Sequence, residues 1–150
     1  MNHALIATLL ATCGFLAAPT WAQSPSAPAT LADALYTSLG EKPGLLKLMD
    51  DFVPRLARDP RIGAHFKDTN PKNLKEQLVD QICMVSGGPC TYKGGDMKSA
   101  HASMDITKAD FNALVEVLQV SMDAQGIGFS TQNRLLARLA PMHRDVITVK

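Results

Sequence analysis

From Leu31 onward, apolar side chains recur every three or four positions and nowhere alternate as they would along a half-buried strand. Between Pro43 and the Asp59-Pro60 break, Leu45, Leu48, Met49, Phe52, Val53 and Leu56 form one stripe. Pro54 lies inside this stripe and is expected to kink the helix or free a carbonyl. Asn70-Pro71 pairs a capping residue with a proline suited to the first helical position. The helix opened there presents Leu74, Leu78 and Ile82 on one face until Gly87-Gly88-Pro89 stops it. Thr107 starts another helix, and Asp110 three residues on offers a shortened capping box. Phe111, Leu114, Val115, Leu118 and Met122 form its apolar side, and Gln125-Gly126 ends it. A last helix is expected from Thr131 to the neighbourhood of Ile147, bent at Pro141, with Leu135, Leu136, Leu139, Met142 and Val146 inward. With no hairpin signal and no repeat, the pattern specifies an all-α domain.

The stretch from Pro89 to Ile106 breaks this regularity. It has room for one short helix, around Asp96 to Ala102, which places Met97 and His101 on one face. Small helical domains seldom carry so long an irregular connection without a use for it.

Charge divides the chain differently. No Lys, Arg, Asp or Glu precedes Asp33, and Ala4 to Ala18 is an apolar run too short and glycine-broken for a good spanning helix. Pro19 ends the run, and Thr20-Trp21-Ala22 supplies a small-x-small cleavage pattern. Residues 1–22 are expected to be a signal peptide, 23–30 a Pro/Ala/Ser linker and 31–150 the folded domain. The expected location is the periplasm, with no membrane attachment after cleavage. The region before the apolar run lacks Lys and Arg, which leaves an uncleaved anchor as the alternative; Leu10-Ala11-Thr12-Cys13 also loosely matches a lipid-attachment box.

The 150 residues, 46% of them hydrophobic, suffice for one core. Fifteen Lys and Arg against 14 Asp and Glu leave a net charge of +1, which gives no electrostatic case for nucleic acid or a polyanionic substrate. Removal of the leader takes Cys13 and leaves Cys83 and Cys90. These two could close a disulfide in an oxidising compartment or pack as buried thiols, and the spacing alone leaves both open.

The run Gly87-Gly88-Pro89-x-x-Tyr92-x-Gly94-x-x-Met97-x-x-x-His101, followed by Ile106-Thr107-x-x-x-Phe111, resembles the truncated haemoglobins, and group I most. Upstream pieces fall in the same order: Leu35-Tyr36-x-x-Leu39-Gly40, Asp51-Phe52, Asp59-Pro60-x-Ile62, Phe66 and Thr69-Asn70. The resemblance spans Leu31 to Val146. It implies a two-over-two helical sandwich holding haem b without a covalent link, and diatomic gases (O2, NO, CO) as ligands. The chain has no C-x-x-C-H, so covalent c-type attachment is unsupported. His101 falls at the proximal position and would bind the iron. Alone, a single His near a Met is more often an ordinary core or surface residue; the surrounding pattern distinguishes it. His65 and His143 lack that context, and His65 could reach the iron only as a sixth ligand. The resemblance assigns Phe66 to the haem face and Tyr92, Met97, Ile106 and Phe111 to the proximal side and haem edge. It places Phe52 and Val53 on the distal side, with Leu74, Gln77 and Leu78 from the next helix. Lys72 and Lys75 are candidate partners for the haem propionates.

The departures bear on function. Group I members often use a Tyr and a Gln to hydrogen-bond dioxygen, and the matching positions here are Val53 and Leu78, beside an apolar Leu74. Each missing hydrogen bond to a polarised ligand is worth roughly 1.5–3 kcal/mol, which favours NO or redox chemistry over dioxygen storage. Gln77 is the nearest remaining donor. Nitric oxide dioxygenation or a peroxidase-like activity would each need an electron source, and the donor is unknown. Leu39-Gly40-Glu41 also departs from the family's usual Gly-Gly. The competing class is an exported helical metal-binding or interaction module without haem, suggested by Met84, Met97, Met104, Met122 and Met142. These methionines are scattered, as gap-filling core residues would be.

Overall fold

A computed structural model describes residues 31–149, all helix, turn and loop. The signal peptide and linker expected over residues 1–30 lie outside the described residues. Helix α1 is Leu31–Ser38 and α2 is Glu41–Arg58. Gly40 enters the turn between them at φ 79°, and Glu41 follows at φ 56°. A second glycine would adopt that left-handed backbone freely; Glu41 holds it against steric strain. Gly44 is required on other grounds, because a Cβ there would lie 2.1 Å from the Leu39 carbonyl oxygen. Pro54 does not end α2, which continues to Arg58 before the Asp59 N–H closes it on the Arg55 and Leu56 carbonyls.

A short 3-10 turn, Gly63–Phe66, leads to α3, Pro71–Val85. Asn70 caps α3 as its sequence position suggests, its side-chain oxygen accepting from the Lys72 and Asn73 N–H groups at 3.0 and 3.1 Å. The irregular stretch contains only α4, Met97–His101, capped by the Asp96 carboxylate on the Ser99 N–H. Helix α5, Lys108–Ala124, begins in a complete Thr107/Asp110 capping box.

The last element differs from the bent helix expected over Thr131 to Ile147. Helix α6 is Phe129–Leu139, a 3-10 turn follows over Ala140–Met142, and α7 is His143–Val146. Pro141 has no N–H for the Ala137 carbonyl, and its ring crowds the preceding turn, so the chain tightens and re-enters helix at a new angle.

Helix α2 packs on α3 and α5, α5 on α6, α6 on α1, and the small α4 on α7. Leu45, Leu48, Met49, Leu56, Met122 and Leu135 are fully enclosed between the α2–α3 and α5–α6 layers. Cys83, also enclosed, is disulfide-bonded to Cys90 across 5.7 Å between Cα atoms, which decides between the two readings of that pair. The bridge requires Gly88, where a Cβ would meet the Cys83 sulfur at 2.6 Å and the Tyr36 ring at 2.7 Å.

Candidate functional site

The core opens on one side into a cavity of about 860 Å³, within the size range of small-molecule and cofactor sites. Helix α3 builds one wall from two parallel stripes at helical spacing. Leu74, Leu78 and Ile82 make an apolar stripe, and Asn73, Gln77 and Gln81 run beside it as amides. Phe52 and Leu56 of α2, with Ile62 and Phe66, continue the apolar surface. The opposite wall comes from Met97 and His101 of α4, Ile106, and Phe111 and Leu114 of α5. Leu136, Leu139, Met142 and Val146 close it from the C-terminal helices.

Ten of the eleven residues nominated from sequence line this one cavity: Phe52, Phe66, Leu74, Gln77, Leu78, Tyr92, Met97, His101, Ile106 and Phe111. Val53 does not. It is buried, but adjacent helix positions differ by about 100° in direction, and the short valine at that turn leaves the wall to Phe52 and Leu56. Lys75 is engaged elsewhere, in an ion pair with Asp50, and Lys72 is not part of the lining.

His101 is the distinctive group. Its Nδ1 lies 2.7 Å from the Met97 carbonyl oxygen, one turn back in α4. A carbonyl only accepts, so Nδ1–H donates, and Nε2 on the opposite edge is the nitrogen left for a ligand. A metal-binding imidazole requires that arrangement, and here its own helix holds it. Met97 is positioned in turn by the Gln81 Nε2, which donates to the Met97 sulfur at 3.2 Å and to the Met142 sulfur at 3.6 Å.

Polar groups gather at two edges. At one, the Tyr92 hydroxyl donates to the Gly95 carbonyl at 3.1 Å, and burial pushes the phenol's pKa up. A Cβ on Gly94 would stand 2.2 Å from that hydroxyl and 2.6 Å from Gln77 Oε1, so glycine is what lets loop and helix meet there. Gln77 Oε1 is buried and has no hydrogen-bond partner. At the other edge, His65 Nε2 lies 3.8 Å from Asp110 Oδ2, and both residues line the cavity. Asp110 accepts from the Thr107 hydroxyl at 2.6 Å and N–H at 2.9 Å, and these bonds hold its carboxyl below the ordinary range.

Sequence reasoning missed Gln81, Asp110 and the C-terminal contributors. The amide stripe was readable from the four-residue spacing of 73, 77 and 81. Asp110 serves in the α5 capping box, and nothing in its sequence position marks it as also facing the cavity. Among the described residues, no cluster of three or more His, Cys, Asp or Glu could hold a metal ion, and no helix is long and apolar enough to cross a membrane.

The chain matches the bacterial-like globin family over residues 34–148. A group 1 truncated hemoglobin of Mycolicibacterium paratuberculosis is 27% identical over 115 residues, covering 77% of this chain and 85% of that one. The Fe(III) form of Tetrahymena pyriformis truncated hemoglobin superposes with a TM-score of 0.73 at 26% identity, covering 75% of this chain and 97% of that one. A Synechococcus 2/2 hemoglobin, solved in the cyanomet state with covalently attached heme, shares the fold at a TM-score of 0.71 and 20% identity, covering 75% of this chain and 97% of that one. The family match over residues 34–148, together with an apolar cavity lined by His101 inside a truncated-globin fold, makes this chain a member of the bacterial-like globin family: a haem-binding globin that takes diatomic gases.

Proposed function

We propose that the cavity holds haem b non-covalently, that His101 Nε2 is its proximal iron ligand, and that the protein serves NO or redox chemistry rather than dioxygen storage. The observation carrying this reading is the Nδ1–Met97 carbonyl bond, which leaves Nε2 as the free nitrogen of an imidazole lining an apolar cavity. The residues present fit the group. Leu74, Leu78, Phe52 and Phe66 offer surface to a flat apolar ring, and Tyr92, Asn73 and Gln77 offer polar groups for its polar rim. Haem supplies an iron site for a diatomic ligand; everything else is set by the chain.

Around that site the positions matching the family's usual donors are apolar. The α3 apolar stripe replaces the amide that group I members often use, and Phe52 rather than a tyrosine faces the cavity from α2. A ligand that leans on hydrogen bonding is therefore held weakly, and one that binds through iron alone is not penalised. Group I membership is supported by the similarity to the Mycolicibacterium paratuberculosis group 1 truncated hemoglobin and by the glycine-rich segment before α4. The Cys83–Cys90 disulfide supports an exported, periplasmic setting, because such bonds are rare where thiols are kept reduced. An electron donor of unknown identity completes the scheme.

Haemin titration tests the proposal. The expected result is an intense Soret band, extractable with acidified ketone, that His101→Ala abolishes or shifts. Absence of a band in the unmodified protein would sink the haem reading. A ferrous protein that retained dioxygen for hours would overturn the preference for NO or redox chemistry.

A further inference from the structure

Helix α4 carries the iron ligand on five residues, none of them buried. A helix this short does not sustain itself, so the position of His101 depends on its packing against α7 and on what anchors its ends. Downstream the anchor is clear: the Ile106 N–H donates to the Thr148 hydroxyl at 2.8 Å, and the Ile106 carbonyl accepts from the Thr148 and Val149 N–H groups. Upstream, the Asp96 cap and the Tyr92–Gly95 bond lie within the segment and tie it only to itself. Besides the packing of Gly94 against Gln77, two bonds reach out of it to α3. One is Gln81 to the Met97 sulfur, a weak acceptor. The other is the covalent bond from Cys90 to Cys83.

The two ends of that bond differ. Cys83 sits in the core, and the turn after it is fixed by Ser86, whose hydroxyl donates to the Cys83 carbonyl and whose carbonyl accepts from the Tyr36 N–H. Cys90 begins the segment that supplies Tyr92, Gly94 and Gly95 to the cavity and runs directly into α4. The bridge thus joins a rigid wall of the cavity to the segment that positions His101.

Resting on the haem reading above, we infer that oxidation of Cys83 and Cys90 is the maturation step that completes the haem site, and that the dithiol chain releases haem much faster than the disulfide chain. The step balances as two thiols giving one disulfide, two protons and two electrons, the electrons passing to a disulfide-bearing oxidant that becomes a dithiol. The half-buried Cys90 is the sulfur an exchange partner reaches first. Its thiolate attacks the oxidant's disulfide, and the Cys83 thiolate then displaces the partner from Cys90. The reverse reaction must expel a thiolate into the apolar core at Cys83, which protects the finished bridge from incidental thiols. Dithiol oxidation therefore belongs before stable haem retention, and an oxidising compartment is where the protein becomes competent.

The test is haem transfer from the loaded protein to an excess of a haem-free globin acceptor, followed in the Soret region. Three samples are compared: the disulfide form, the same protein reduced with a phosphine, and Cys90→Ala, which leaves the buried Cys83 in place. Loss is expected to be about tenfold faster, or more, in the second and third samples, a part of the restraint a bridge of this span imposes. Their far-ultraviolet helicity should be retained, and their ferrous iron–histidine Raman band broadened. Loss rates within a factor of two of the disulfide form would overturn the proposal. So would outright unfolding on reduction, which would make the bridge a support of the whole domain. A missing Soret band in every form is a different result and refutes the haem reading itself.

Discussion

Replacing Leu78 by Gln puts a hydrogen-bond donor into an apolar wall at nearly constant side-chain volume, so the fold is expected to survive. Leu78 lines the cavity one turn beyond Leu74 and packs against the main core. A new bond to a polarised ligand is worth roughly 1.5–3 kcal/mol, so the dioxygen dissociation rate of the ferrous protein should fall by about 10- to 150-fold. NO and CO dissociation should change little. The companion variant, Gln77→Leu, removes an amide whose Oε1 is already buried without a partner. Relieving that desolvation should raise the stability of the haem-free protein by about 1 kcal/mol and leave dioxygen dissociation unchanged. Stopped-flow mixing of the oxygenated protein with dithionite and CO measures the rates, and urea unfolding measures the stability. The opposite outcome, a large acceleration in Gln77→Leu with almost no slowing in Leu78→Gln, would refute the reasoning and make Gln77 the working donor.

Three other changes test separate parts of the structure. Gly88→Ala drives a Cβ to within 2.6 Å of the Cys83 sulfur and 2.7 Å of the Tyr36 ring, and should cost about 1–3 kcal/mol in urea unfolding. Glu41→Gly relieves a left-handed backbone at φ 56° and should raise the thermal midpoint, with a gain of about 1 kcal/mol after the loss of a favourable first-turn charge. Asp110→Asn should destabilise the protein at neutral pH, because the depressed carboxyl pKa in the folded state makes the charged form stabilising above the unfolded value, about 3.9. That advantage falls away as the pH drops through the depressed folded value, so the two unfolding midpoints should converge in acid. A constant difference down to the lowest pH would show that Asp110 stabilises the fold without regard to its charge.

The cavity was legible where helical spacing and the Gly-Gly…Met…His pattern coincided. Asn70-Pro71, Thr107/Asp110 and the Gly87-Gly88 stop are local devices, and local rules locate them. Val53 shows the limit. Its stripe is readable, but which member of a broad apolar face meets an open cavity depends on how α2 rolls against α3. Pro141 shows another, since a proline in an apolar stripe can bend a helix or end it. Pro54 leaves its helix running, and Pro141 yields a 3-10 turn and a new helix.

By itself the sequence determined that the domain is all-α, where its main helices start and stop, and which histidine stands in the truncated-globin pattern. Those follow from periodicity, caps and residue order, all of which act over a few positions. Tertiary structure alone decided that Cys83 and Cys90 are joined, that His101 lines the cavity, that Gln77 has a buried unpartnered oxygen, and that His65 meets Asp110. Each of these depends on a side chain's direction and on a neighbour's distance of a few ångströms. Residue order leaves such quantities open until helices from distant parts of the chain pack together.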